Sequence, residues 1–203
     1  MLSFQRGFVQ LFRVRGVPVR AHWTVPLLCL LFSGFRVRPG LWVGILVVIL
    51  AHELGHAFLV HRYGLVNLGI DLTGFGGLCR WAGTPTPMQR AAVAWGGVLA
   101  QLVILAPAAA IGLLLAGPGL NPLLAGLLEA FTQANAFLIV INLIPIRPLD
   151  GREAWPWFKM AYARFRRRRE WKRKLVRPED AEDGPLAQTL QQALDEAKRR
   201  NLH

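Results

Sequence analysis

The chain has 203 residues, 53% of them hydrophobic, and its 24 Lys and Arg outnumber 12 Asp and Glu, which gives a formal net charge of +12. A soluble core does not need so much apolar surface, so this composition argues against an ordinary soluble domain. Two cysteines, Cys29 and Cys79, both in apolar surroundings, are too few for a disulfide framework.

The N-terminal part combines a strand pattern with a short apolar run. Residues 17–22 alternate apolar and other side chains, which predicts a short strand. The apolar run 24–35 follows; it is shorter than the usual membrane span and could be re-entrant instead. A cleavable signal peptide is not expected, because four arginines precede this run and no small-residue cleavage pattern ends it.

Three longer uncharged runs predict membrane-spanning helices, since crossing the hydrocarbon takes about 20 apolar residues. They cover residues 41–60, 91–115 and 123–146. Between the first two, residues 66–81 mix β-branched residues with glycines, which predicts a second short strand or a hairpin rather than a flexible loop. The expected fold is therefore a polytopic α-helical membrane protein with about four transmembrane helices and a small membrane-associated β-sheet or hairpin.

The distribution of charge favours a crossing by the short run 24–35. With four spans, both termini and the 61–90 loop lie on one side together with 22 of the 24 Lys and Arg, and only Arg36 and Arg38 lie on the other. The positive-inside rule then predicts a multi-pass integral membrane protein with cytoplasmic N- and C-termini.

A basic aromatic segment follows the last apolar run. Trp155, Phe158, Tyr162 and Phe165 are spaced as on one face of a helix, and the basic run 166–174 comes next. This pattern predicts an amphipathic helix on the anionic cytoplasmic leaflet of the lipid bilayer. Nucleic-acid binding is the alternative for such a run, but it is not expected beside a membrane span.

The chain is accordingly divided into three parts. Residues 1–152 form a membrane-embedded core, residues 153–177 a juxtamembrane segment, and residues 178–203 a tail. In the tail, the acidic linker 178–184 precedes a short cytoplasmic helix, which either is solvated or binds a partner.

One turn of the second apolar run carries three ionisable side chains, in the stretch His52-Glu53-Leu54-Gly55-His56. Residues four apart lie on one face of a helix, so the two histidines can share a zinc ion with Glu53 beside them as a general base. Buried ionisable groups need partners, and a metal supplies one. The alternative is a pair of core histidines satisfied by backbone groups.

Catalytic zinc usually has three protein ligands, so a third is needed. Asp150 is the best candidate, because Pro145 and Pro148 break the last apolar run and Gly151 permits a tight turn. Such a break can carry the carboxylate away from its own helix and toward the two histidines, which lie at a similar depth.

Four other polar residues are weaker candidates for the metal. Asp71 lies in the predicted hairpin, and Glu129 is too near the opposite membrane face. His61 is one residue short of the spacing of a third histidine ligand in other zinc proteases, so an interfacial position is predicted for it, and for His22 as well.

Two motifs together resemble the paired signature of the site-2 protease family of intramembrane zinc metalloproteases. They are His-Glu-Leu-Gly-His at 52–56 and Asn-Leu-Ile-Pro-Ile-Arg-Pro-Leu-Asp-Gly at 142–151, and smaller agreements extend over roughly 15–152. There are two departures: Gly97-Val98-Leu99-Ala100-Gln101 replaces a frequent Gly-Pro-x-x-Asn, and Arg152 replaces a frequent glycine. Both bear on substrate handling and leave the proposed ligands and base in place.

The resemblance assigns roles to individual side chains. Three of them are implied to bind one zinc ion, namely His52, His56 and Asp150. Glu53 is implied to be the general base. Asn142 and Asn135 are implied to offer hydrogen bonds near the scissile carbonyl or to hold the Asp150 loop.

The predicted function is hydrolysis of a peptide bond in or near a transmembrane segment of membrane-protein substrates, that is, regulated intramembrane proteolysis. An edge strand within 66–81 is expected to pair with the substrate backbone. The alternatives are a non-catalytic zinc-binding membrane scaffold and a small transporter with a metal on its path. The expected partners are transmembrane substrates and the bilayer, without nucleic acid, and a homo-oligomer is left open.

Overall fold

The computed structural model describes residues 4–5, 7–115, 119–175 and 185–200, and helices dominate it. The helices are α1 (Val25–Phe32), α2 (Pro39–Arg62), α3 (Pro87–Leu114), α4 (Pro122–Glu129), α5 (Asn135–Asn142), α6 (Gly151–Ala154), α7 (Pro156–Leu175) and α8 (Pro185–Arg200). A π-helical turn, Ala130–Ala134, joins α4 to α5. The chain divides into two compact units, residues 1–157 and 158–203.

Three helices in the described residues are long and apolar enough to cross a membrane. They are α2, α3 and the continuous stretch Pro122–Asn142, which correspond to the three longer apolar runs. The run 24–35 contains only the eight-residue α1, about 12 Å long at the usual rise, which is too short to span the hydrocarbon alone. The count of four transmembrane helices is therefore not confirmed.

Five strands form one sheet in the order β1-β2-β3-β4-β5. Their bounds are β1 Phe4–Gln5, β2 Phe8–Val14, β3 Val17–His22, β4 Val66–Thr73 and β5 Gly76–Ala82. All neighbours pair antiparallel except β3 and β4, which are parallel. The predicted strand 17–22 and the hairpin within 66–81 are confirmed. β2, which the sequence pattern did not indicate, joins β3 through Arg15 and Gly16, both at positive φ as tight hairpin turns require.

The sheet packs on α2 through a shared apolar core. Val19 and Ile70 from the sheet are completely buried, and so is Ile45 of α2. On its other sides α2 meets α3 and α4 at very short range, because glycines line both contacts. A Cβ on Gly55 would lie 2.2 Å from the carbonyl oxygen of Gly96, so only glycine permits this α2–α3 crossing.

The second unit is helical wherever it is described. α7 carries Phe158, Tyr162, Phe165 and the basic run 166–174, whereas Trp155 of the predicted aromatic face lies just before it. The tail helix predicted after the linker appears as α8. The acidic linker predicted at 178–184 lies outside the described residues.

Candidate metal centre

The structure brings together His52, His56 and Asp150. The Nε2 atoms of the two histidines are 3.0 Å apart, and the Oδ2 atom of Asp150 lies 2.9 Å from that of His52 and 3.1 Å from that of His56. Both imidazoles are buried, and the carboxylate is mostly buried. Within the described residues, this is the one group of His, Cys, Asp and Glu side chains that could hold a metal ion.

A break after α5 carries Asp150 to the histidines. The helix ends at Asn142, and the chain turns before α6 begins at Gly151. Gly151 lies so close to the turn that a Cβ there would be 2.3 Å from the carbonyl oxygen of Leu143. The indole Nε1 of Trp155 donates to the same carbonyl at 2.7 Å, which braces the turn from the other side. The two prolines and the glycine of the sequence thus act as predicted.

Outer hydrogen bonds decide which nitrogen of each histidine faces Asp150. The Nδ1 atom of His52 lies 2.9 Å from the side-chain oxygen of Gln101, and the Nδ1 atom of His56 lies 2.7 Å from the backbone oxygen of Val93. Both partners are acceptors, so a proton on each Nδ1 together with a metal at each Nε2 would satisfy both rings at once. Without a metal, each Nε2 faces the Asp150 carboxylate instead.

The donor set fits zinc. Two neutral imidazoles and one carboxylate are a common ligand set of catalytic zinc, which retains an open fourth position. Bonds of about 2.0–2.2 Å in a tetrahedron place the donor atoms roughly 3.3 Å apart. The observed separations of 2.9, 3.0 and 3.1 Å are only slightly smaller, so a small opening of the cluster accommodates the ion.

Glu53 lies between α2 and strand β5 and is 4% exposed. Gly77 of β5 faces its carboxylate so closely that a Cβ at this position would be 2.3 Å from Oε1. The backbone N–H of Cys79 also interacts with the carboxylate. Strand β5 therefore forms the wall of the site next to Glu53, with a glycine where the approach is closest.

Two ionisable groups outside the spans have strongly shifted pKa values. Burial alone would raise the pKa of Asp150, but hydrogen bonds with His52 and His56 hold it well below its usual range, so the carboxylate stays charged. Burial, together with the nearby Glu53 and Asp150, raises the pKa of the Cys79 thiol to about 12. The thiol therefore remains neutral at pH 7 and is a poor competitor for the metal.

One cavity of about 370 Å³ is bordered by the candidate ligands His52, His56 and Asp150 and also by Glu53 and Cys79. Asn142 and Gln101 contribute polar side chains to its lining, and β5 contributes the stretch 76–79. Asn135 lies deeper: it is completely buried, and its amide nitrogen donates to the backbone oxygens of Gln101 at 3.0 Å and Phe131 at 3.3 Å. Of the two asparagines, Asn142 is therefore the one at the cavity wall.

The weaker metal candidates have other partners. Asp71 pairs with Arg20, whose Nε and Nη2 each lie 2.7 Å from a carboxylate oxygen, and with Arg80 at 2.9 Å. Glu129 pairs with Arg38. His22 lies 2.8 Å from the hydroxyl of Thr24, and His61 lines a separate cavity. None of these residues belongs to the metal cluster of the described chain.

Three contributors to the site were not predicted from the sequence. They are Gln101, Gly97 and Gly77, which hold or make room for site side chains. A Cβ on Gly97 would lie 2.4 Å from the His52 ring. Gln101 had a visible signal, since it is the one strongly polar side chain deep in the α3 run, but its contact with His52 depends on how the helices cross.

Comparison with known proteins is consistent with this geometry. No protein-family model matches the chain. It is 30% identical over 165 residues to Rip3 of Mycobacterium tuberculosis, named as a zinc metalloprotease, which covers 72% of this chain and 42% of that protein. It is 28% identical over 152 residues to the zinc metalloprotease MJ0392 of Methanocaldococcus jannaschii, covering 70% and 43%.

The fold has a solved counterpart. The site-2 protease from Methanocaldococcus jannaschii superposes with a TM-score of 0.59 at 24% identity, covering 73% of this chain and 69% of that one. The chain spans less than half the length of the curated relatives it matches. The sequence relatives, the shared fold and the paired motifs together support the site-2 protease family for this chain.

Proposed function

We propose that this protein is an intramembrane zinc metalloprotease that hydrolyses a peptide bond in or near a transmembrane segment of a membrane-protein substrate. The observation that carries the proposal is one cavity in which His52, His56 and Asp150 converge while Glu53 borders the same space. Relatives named zinc metalloproteases make zinc the expected metal.

The chain's own residues divide the chemistry between them. His52, His56 and Asp150 hold the metal. Zinc bound there supplies Lewis acidity, which lowers the pKa of water toward about 7 and polarises a peptide carbonyl. Glu53 accepts the proton of the attacking water on its carboxylate and delivers it to the leaving nitrogen. Asn142, which lines the cavity, donates a hydrogen bond to the substrate carbonyl in this proposal.

A substrate strand pairing with β5 would present its backbone to Glu53. Peptide bonds in a helical substrate are shielded, so the cleaved segment must be extended. β5 is the last strand of the sheet, paired on one side with β4. Its residues Gly77 and Cys79 face the Glu53 carboxylate. Strand addition at β5 therefore brings an extended backbone to the side of the cavity where the base lies.

The test of strand addition is a proline scan along β5. Proline removes a backbone N–H and should lower cleavage at positions whose N–H faces the cavity, with zinc content and folding retained. Cys79→Pro is left out of the comparison, because the N–H of Cys79 interacts with the Glu53 carboxylate. Uniform cleavage across residues 76–82 would contradict pairing at this edge.

We further propose that β3 and α1 together make the first membrane crossing. Gly74, in the hairpin turn, donates its N–H to the Thr24 hydroxyl at 2.8 Å. Gly77, just beyond this turn, contacts Glu53, which lies roughly 14 Å along α2 from its end at Arg62. α1 then starts at about the membrane depth of the candidate metal site. Its length of about 12 Å covers much of the hydrocarbon that remains between this depth and the opposite face.

This crossing gives cytoplasmic N- and C-termini, in agreement with the charge distribution, and puts the site toward the cytoplasmic half. In a background without the native cysteines, a membrane-impermeant thiol reagent should label Arg15→Cys and Arg90→Cys from one side and Arg36→Cys from the other. Labelling of Arg15→Cys and Arg36→Cys from the same side would contradict the crossing.

The second unit is proposed to lie on an anionic lipid surface. On α7 the side chains of Tyr162 and Phe165 are 68% and 57% exposed, and the guanidinium of Arg169 lies 5.2 Å from the Phe165 ring centroid. Aromatic rings flanked by arginines suit the headgroup region of an anionic leaflet. A nitroxide at position 162 should be protected from a water-soluble quencher more strongly in phosphatidylglycerol vesicles than in phosphatidylcholine vesicles; equal protection would contradict the proposal.

The decisive test of proteolysis compares wild type with Glu53→Gln in cells that co-express tagged single-span membrane proteins. The amide cannot take up the water proton, so the cleavage product should disappear while bound zinc remains. Zinc content of the purified variant serves as the control for folding of the site. Equal cleavage by both forms would refute the proposal, and absence of any cleavage across a broad substrate panel would favour the zinc-binding scaffold.

A further inference from the structure

The buried amide of Gln101 makes a direct contact with a metal-binding side chain. Gln101 lies on α3 and is 1% exposed. Its Oε1 atom is 2.9 Å from the Nδ1 atom of His52, across the α2–α3 interface. The other ring nitrogen of His52 points at Asp150. The Nδ1 atom of His52, which does not face Asp150, is therefore hydrogen-bonded by Gln101, a side chain outside the proposed ligand set.

We infer that Gln101 is the positioning residue that fixes the tautomer and ring orientation of His52 for metal binding. An amide oxygen only accepts hydrogen bonds, so the contact places the proton on Nδ1 and leaves the Nε2 lone pair for the metal. His56 is oriented in the same way by the backbone oxygen of Val93, which no substitution of Val93 removes. Among the described residues, Gln101 is therefore the one side chain outside the proposed ligand set that hydrogen-bonds a histidine of the site. A substitution can remove this hydrogen bond.

The surroundings of Gln101 are built to hold it in place. The Asn135 amide, itself completely buried, donates to the Gln101 backbone oxygen at 3.0 Å and ties α5 to α3 at this level. One turn earlier, Gly97 leaves the space that the His52 ring occupies. The Gln101 side chain thus crosses the space between α3 and α2 to reach the Nδ1 atom of His52.

The inference concerns metal binding and does not depend on proteolysis. Its test is the zinc affinity of the full chain in detergent, measured by competition with a chromophoric chelator. Gln101→Ala should weaken zinc binding about 10- to 100-fold, the usual effect of losing an outer hydrogen bond to a ligand. Gln89→Ala is the matched control, because Gln89 lies on the same helix and caps its first turn without touching the metal site. Its zinc affinity should equal that of wild type.

A rescue variant separates an effect of Gln101 on the orientation of the His52 ring from an effect on helix packing alone. Gln101→Glu restores an acceptor for the Nδ1 proton and should return zinc affinity to at least the wild-type value. With ¹⁵N-labelled histidine, the zinc-bound wild type should show an Nδ1–H of His52 that exchanges slowly with water, and Gln101→Ala should lose this protection. Unchanged affinity in Gln101→Ala would overturn the inference, and so would failure of Gln101→Glu to rescue. Loss of zinc-free stability without an effect on this protection would likewise show a merely structural role. Because no substrate is involved, these outcomes stand apart from the Glu53→Gln test.

Discussion

Helix α2 packs closely against two neighbours, and only one of the two contacts carries chemistry. Toward its C-terminal half it meets α3, where a Cβ on Gly55 would lie 2.2 Å from the Gly96 carbonyl oxygen. Near its N-terminus it meets α4, where a Cβ on Gly40 would lie 2.1 Å from the Leu123 carbonyl oxygen. The backbones approach to the same degree in both contacts, and in both the approach depends on glycine.

The difference lies in the side chains that enter the space between the helices. The α2–α3 contact encloses His52 with its partner Gln101, and Asp150 closes the site from the adjoining turn. The α2–α4 contact encloses apolar groups, with one ion pair, Arg38 to Glu129, partly exposed beside it. Close helix packing is thus a general means of building a membrane protein, whereas function requires polar groups at defined depths within it. Four substitutions test this contrast.

The largest effect is expected at the metal ligand. Asp150→Ala removes one of three proposed ligands, so zinc affinity should fall by at least about 100-fold, the upper range for losing only an outer hydrogen bond to a ligand. The measurement is equilibrium dialysis against buffered zinc. Retention of wild-type affinity would show that Asp150 is not a ligand.

Gly97→Ala should come next. The added Cβ would lie 2.4 Å from the His52 ring, so the imidazole must turn away from Asp150. We expect zinc binding to weaken by roughly tenfold or more, as for other losses of ligand orientation. Chelator competition measures this change, and an unchanged zinc affinity would mean that the ring can move without leaving its binding position.

Gly44→Ala is the matched change in the other helix contact. Its Cβ would lie 2.3 Å from that of Ala130, which forces α2 and α4 apart. Overpacking of this kind costs about 1–3 kcal/mol in the free energy of unfolding. Denaturation in detergent should report that loss, whereas the zinc affinity of the folded protein should match wild type. A weakened zinc site would show that the two contacts are coupled.

The smallest effect is expected for Glu129→Ala. The Arg38 and Glu129 side chains are 39% and 31% exposed, so losing their ion pair should cost at most about 1 kcal/mol. Zinc content should not change, even though a carboxylate has been removed. Thermal unfolding and metal analysis of the same sample check both statements, and loss of zinc would place Glu129 in the metal site after all.

Much of the architecture is predictable from local patterns. Three spans, the strand at 17–22 and the hairpin follow from hydrophobic runs, alternation and glycine placement. The strand β2 was not indicated by the sequence pattern, although it forms a local hairpin with β3. The parallel pairing of β3 with β4 is not predictable from local patterns, because it depends on how α1 and α2 return the chain. The run 24–35 illustrates the same limit, since the pattern indicates one apolar run of which only residues 25–32 form a helix.

The amino-acid sequence by itself indicated the candidate metal ligands, because His52 and His56 are four residues apart on a helix and the Pro-rich turn before Gly151 allows Asp150 to leave its helix. The structure brings these three side chains together. Only the tertiary structure decided what surrounds them. Gln101 contacts His52 and Gly77 faces Glu53 because helices and strands distant in sequence cross at these points. The physical reason is the separation of the contacting residues along the sequence. Ligand spacing within one helical turn is local, whereas the orientation of each ligand depends on contacts between distant segments, which no local pattern encodes.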